Sequence, residues 1–102
     1  MSILITAANS AQAHRLKKQL NRDDVVLGDY HTLPAFMLMQ GKMLQLPNPQ
    51  SISYTHEMLA LCLDNSVDLI YVLDNAEMGL LLESQQLFKE YNIDIQVTSN
   101  EI

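Results

Sequence analysis

The chain has 102 residues, 48% hydrophobic and 18% charged, with a formal net charge of −6 at pH 7. That is one domain, 1–102, apolar enough to pack a core and to exclude disorder. The negative balance excludes a general nucleic-acid role, which needs clustered cations. No apolar run reaches the roughly 18–20 residues of a membrane span.

The sequence alternates short apolar runs with helical segments, as α/β sheet proteins do. Residues 2–6 (SILIT) read as a buried first strand. Asn9 or Ser10 is placed to cap a helix running to about residue 21, because either side chain accepts from an orphan backbone N–H. Ala13, Leu16 and Leu20 share its inner face and Arg15, Lys18 and Arg22 its outer one. Residues 24–28 (DVVLG) form a second strand, and 33–39 (LPAFMLM) a short helix or irregular turn ended by Gly41.

A short third strand covers 42–46 (KMLQL), and Pro47 and Pro49 then impose a loop. Ser53 is expected to cap a helix over 54–64, with Glu57 pairing at its start. The continuous apolar run 69–73 (LIYVL) suits a central strand covered on both faces. Asn75 is expected to cap one long helix, 76–91, and 93–97 (IDIQV) supplies the last strand. In that helix Leu80, Leu81, Leu87, Phe88 and Tyr91 form the inner stripe, with Met78 and Leu82 partly off it. Met37 and Met39 add flexible apolar surface earlier in the chain. Either the sandwich helices are broad-faced and bury all of this, or some of it is an exposed protein interface.

Right-handed crossovers applied to this order predict a three-layer α/β/α sandwich. Its five-stranded parallel sheet has the Rossmann-like order 3-2-1-4-5, with a flavodoxin-like 2-1-3-4-5 order as the competing arrangement. The one cysteine, Cys62, lies in an apolar helical run (MLALCL). It reads as a packing thiol, excludes an internal disulfide and fits a reducing cytoplasm.

Taken together, these segments resemble the N-terminal Rossmann-like pre-ATP-grasp domain of carbamoyl-phosphate-synthase-like ATP-grasp enzymes. ILITAANS stands where that family has a strand and a small-residue turn. VVLGDYHTLPAFMLMQGKMLQLP resembles its second strand with a terminal Asp, a Pro-Ala-containing helix and a third strand closing on Pro. SYTHEMLALCLDNSVDLIYVLDNAE is similar to its next helix and fourth strand, and NIDIQVTSNEI to the last strand. In those enzymes the following domains carry the lysines that grip ATP and the carboxylates that hold magnesium. The resemblance therefore implies a fold and a docking or substrate-side role, and does not carry ligase activity over to the chain itself.

Candidate chemistry concentrates where strands meet helices. A dinucleotide fingerprint uses glycines so that the chain turns tightly and approaches the pyrophosphate; TAANSAQA, residues 6–13, has none. Thr6, Asn9 and Ser10 can still meet an anion at a helix N-terminus, or only cap the helix. Asp29 ends the second strand, 20 residues after Asn9, where an acidic side chain would grip ribose or serve an ordinary turn. Asp74, with Asn75 and Glu77, follows the fourth strand at the expected switch point, either holding magnesium or capping the last helix.

His14, His31 and His56 have no metal-ligand spacing, so surface roles are expected and no metal is assigned. No nucleophile elbow or Cys–His pair is present in the sequence, and no catalytic residue is assigned. Residues 1–51 hold five basic side chains against three acidic ones, and 52–102 hold Lys89 against nine, so the halves carry +2 and −8. This split is a solvated helix face, or complementarity to a partner or a second copy. The leading expectation is a non-catalytic cytoplasmic domain without a cofactor, acting by association with itself or an ATP-grasp-type partner. The alternative is a small nucleotide- or anion-binding module using Thr6, Asn9, Ser10, Asp29 and Asp74.

Overall fold

A computed structural model describes residues 2–8, 11–31 and 43–97. Asn9, Ser10, the predicted helix 33–39 with Met37 and Met39, and Gly41 lie outside the described residues. Five strands form one parallel sheet: β1 (Ser2–Ile5), β2 (Val25–Asp29), β3 (Met43–Gln45), β4 (Val67–Val72) and β5 (Asp94–Val97). Their order is β3-β2-β1-β4-β5, so the chain moves outward from β1 on one side, then crosses back to build the other. The Rossmann-like order holds and the flavodoxin-like one does not. The strand bounds lie within about two residues of those expected; β2 runs one residue further, so that Asp29 closes it.

Helix α1 (Ala11–Leu20) covers one side of the sheet. Ala13 and Leu16, buried with Ile3, Ile5, Val25 and Leu27, form a core there, and Leu20 packs partly against it. Arg15 and Lys18 are exposed, as the helical spacing requires. Helices α2 (Tyr54–Asp64), α3 (Asn75–Glu83) and α4 (Gln85–Glu90) cover the other side. There Leu4, Ile70, Val72 and Ile95 of the sheet meet Tyr54, Met58, Cys62, Leu81 and Phe88. The three layers follow from this division. Cys62 is a free, buried packing thiol, and burial pushes it up to about 12, far from reactive.

Three local expectations are corrected. The predicted helix 76–91 is two helices that break at Ser84, whose N–H bonds Leu81 O at 3.2 Å in a tighter turn. Its hydroxyl lies 3.2 Å from that of Thr55, a side-chain contact that competes with regular helix. The break places Leu81 and Phe88 in the core but leaves Tyr91, expected on the inner stripe, half-exposed, with Leu82 also outside. The cap of α3 is Asp74, not Asn75: its backbone is extended and its Oδ2 accepts from Glu77 N–H at 3.1 Å. Ser53 makes no side-chain cap, because its φ of −103° and ψ of 14° lie outside the extended region. Ser51 takes its place, donating to Glu57 Oε1 at 3.4 Å and accepting from Ser53 N–H.

Helix ends use asparagine where glycine is usual. Asn21 follows α1 at φ 48° and Asn92 follows α4 at φ 64°. Ile93 N–H then reaches back to Phe88 O, the six-residue closure of a left-handed helix cap. Gly28 has a packing reason: a Cβ there would stand 2.8 Å from Leu46 Cδ2 and 3.0 Å from Leu4 Cδ1. Among the described residues no helix is long and apolar enough to cross a membrane.

Candidate functional site

The chain reverses its direction of travel across the sheet between β1 and β4, so their carboxyl ends flank the crevice where open α/β sheets bind ligands. The turn after β1 begins with Thr6, which is fully buried. Its hydroxyl oxygen accepts from Leu73 N–H at 2.9 Å, and its own N–H donates to Tyr71 O at 3.0 Å. Thr6 thus stitches the ends of β1 and β4 together. Ala7 follows at φ 56°, the left-handed conformation that nucleotide-binding turns give to glycine. Ala8, buried, donates to Gly28 O at 3.0 Å and ties the turn to β2. The tight turn is therefore made without its glycine, at a steric cost of about 1 kcal/mol.

Asp29 lies beside this turn, 2% exposed. Its Oδ1 accepts from His31 N–H at 2.9 Å and lies 2.7 Å from His31 Nδ1, which folds the chain sharply after β2. Gln45 at the end of β3 braces the same corner, its amide reaching the carbonyls of Asp29, Tyr30 and His31 at 3.0–3.3 Å. Tyr30 and His31 stack with ring centroids 4.4 Å apart. The phenol of Tyr30 is raised from its usual range, first by the charge of Asp74, with Glu77 and Asp29 adding to it. These neighbours put the end of β2 beside the start of α3.

At that start stands Glu77, a charged residue with no solvent exposure. A capping box would turn its side chain back to the Asp74 N–H. Instead it points into the core, where Tyr54 donates from its hydroxyl to Oε2 at 2.7 Å. Oε1 is buried and has no hydrogen-bond partner among the described residues. Burial is the main force that pushes this carboxyl up to about 7, opposed by the Tyr54 hydrogen bond and reinforced by the charges of Asp74 and Asp29. Tyr54, desolvated and next to Glu77, is held strongly in its protonated form.

Of the residues expected at a ligand site, the structure brings Thr6, Asp29 and Asp74 to one end of the sheet, while Asn9 and Ser10 lie outside the described residues. Thr6 and Asp74 are engaged in backbone bonds and Asp29 in the β2 corner. Three carboxylates at this point oppose a phosphate, the charge that an anion reading of the crevice needs. Sequence reading missed Tyr30 and Tyr54; His31, expected on the surface, is 62% exposed at its side chain and also paired to Asp29. Asp29-x-His31 spacing carries a local signal for that pair; Tyr54 and Glu77, 23 residues apart, carry none.

Among the described residues no three His, Cys, Asp or Glu side chains are placed to hold a metal ion. His14 is exposed on α1, where with Lys17 and Lys18, and with Arg22 and Asp23 just past the helix, it lines a shallow, mainly basic groove of about 310 Å³; Arg22 itself is paired to Asp24 at 2.6 Å. His56 is exposed on α2. No family model and no curated protein matches the chain. The fold and the crevice define a doubly wound α/β protein with an acidic, tyrosine-lined switch point.

Proposed function

We propose that this domain is non-catalytic and works by association, with a second copy of itself or with a protein partner of the ATP-grasp type. The observation that carries the reading is that, among the described residues, no helix covers the β4–β5 half of the sheet on the α1 side. On the side that α1 covers, β4 presents Leu69 and Tyr71, half-buried at the margin of the α1 core. Asp94 and Gln96 of β5 stand in register beside them and are exposed. Among the described residues α1 is the only helix on that side, and its buried contacts go to β1 and β2. Beyond it β5 is an edge strand, whose unpaired backbone groups invite a partner. Along that edge runs an open groove of about 450 Å³ between β5 and α3–α4, lined by Leu82, by Glu83 and Asp94, and by Lys89.

The basic groove on α1 offers the complementary charge, which supports head-to-tail or two-fold association between copies. The resemblance to pre-ATP-grasp domains supports the same reading, because those domains work against the domains that follow them. Light scattering with sedimentation equilibrium tests it. The expected result is a concentration-dependent assembly that Tyr71→Glu or Asp94→Lys weakens and that loosens as salt is raised. A strict monomer at high concentration that also forms no complex with an ATP-grasp protein rejects it.

A further inference from the structure

The open sheet face leaves unexplained the polar group set deepest in the molecule. Glu77 has no solvent exposure, and among the described residues one of its oxygens has no hydrogen-bond partner and neither Glu77 nor Asp74 forms an ion pair. Burying a carboxylate with half its lone pairs unanswered is costly, and folded proteins retain such groups where something else answers them. The depth of the neighbours is graded: Glu77 is fully buried, Asp74 and Tyr30 are half-buried, and His31 is exposed. Asp74, Asp29 and His31 all act on the charge of Glu77, so they stand close to it.

We propose that the crevice at the carboxyl ends of β1 and β4 binds an organic cation, an alkylammonium or alkylguanidinium group, seated against Asp74 and Tyr30 with Glu77 beneath. Asp74 and Glu77 select positive charge and reject phosphate. The described residues offer no ligand set for a metal ion, which disfavours a divalent cation. The stacked rings of Tyr30 and His31 instead present a flat aromatic wall, which suits a nitrogen cation on a carbon chain. Asp74 keeps its Oδ2 on the helix N-terminus and so is already oriented. Glu77 is oriented by Tyr54.

The groups facing Glu77 are Tyr54 from α2, Asp74 at its own helix start, and Asp29 and His31 from the end of β2. A cation placed among them favours the ionised carboxyl, so binding releases a proton near neutral pH and tightens as pH rises. The same chemistry has two sources: a free amine or guanidine, or a lysine or arginine side chain on a partner.

The test is an NMR titration of the ¹⁵N-labelled full chain at constant ionic strength. The probes are n-butylammonium chloride, methylguanidinium chloride and the peptide acetyl-Gly-Arg-Gly-amide, with sodium chloride as control. Saturable shifts at the amides of Thr6, Tyr30, Asp74 and Glu77, stronger at pH 8 than at pH 6, are expected. Glu77→Gln, which keeps the shape and the Tyr54 bond, should weaken binding about tenfold and remove its pH dependence. Asp74→Asn, which still caps α3, should weaken it as well. Peptide binding tighter than methylguanidinium assigns the cation to a partner's side chain, and the reverse assigns it to a free small molecule; either supports the site. Shifts matched by sodium chloride, shifts from magnesium chloride alone, or wild-type binding by both variants overturn it.

Discussion

Glu77→Gln changes how the stability of the fold depends on pH. In the unfolded chain this carboxyl titrates at about 4.5, and in the folded protein burial pushes it up to about 7. Below pH 4.5 both states hold the proton. Between 4.5 and about 7 the folded protein keeps a proton that the unfolded chain has released, so the folded state binds more protons and stability falls as pH rises. Above about 7 both are ionised and the full penalty is present. At 1.36 kcal/mol per pH unit the penalty is about 3 kcal/mol, a large share of the 5–15 kcal/mol that holds a domain together. Gln keeps the acceptor for Tyr54 and removes the charge. Urea unfolding of both proteins at pH 5, 6, 7 and 8 reads the difference directly. The variant should gain on the wild type steadily across this range, becoming the more stable protein at pH 8. A difference that does not change with pH would refute the reasoning, since it would place Glu77 in contact with water.

Tyr54→Phe removes the one donor to Glu77 and should cost about 1–3 kcal/mol, more at pH 8 than at pH 5, measured by the same urea series. Ala7→Gly should be neutral or stabilise by up to about 1 kcal/mol, because glycine relieves the left-handed strain; a thermal-melt loss as large as that would contradict the turn. Gly28→Ala drives a Cβ into Leu46 and should destabilise by about 1–3 kcal/mol, part of which Leu46→Val restores in the double variant.

How much of this was legible in the sequence differs from element to element. The strands 24–28 and 69–73 are readable because strands of a parallel sheet are mostly apolar along their length. Helix 54–64 is readable to the residue. Its cap was not, since the backbone angles at Ser53 rule out a side-chain cap there, and Ser51 instead bonds Ser53 N–H and Glu57. The kink at Ser84 was hidden for a related reason: Leu80, Leu81, Leu87 and Phe88 fit one continuous helix stripe, and only contact with Thr55 and the sheet separates α3 from α4. The Asp74 and Asp29 positions were visible as strand-end acids, whereas the side chain that dominates the crevice was visible only as part of an acidic turn.

By itself the sequence determined the alternation of strands and helices, and with right-handed crossovers that alternation left two strand orders to choose from. It also determined that the turn after β1 would be tight and free of glycine. Tertiary structure decided the rest. It chose the order β3-β2-β1-β4-β5, and so put the ends of β1, β2 and β4 side by side. It turned Glu77 away from its own helix cap towards a tyrosine 23 residues back in the chain. The physical reason is one of range. Periodicity and capping act over a few residues and can be read along the chain, whereas the burial of a charge depends on which distant groups close around it.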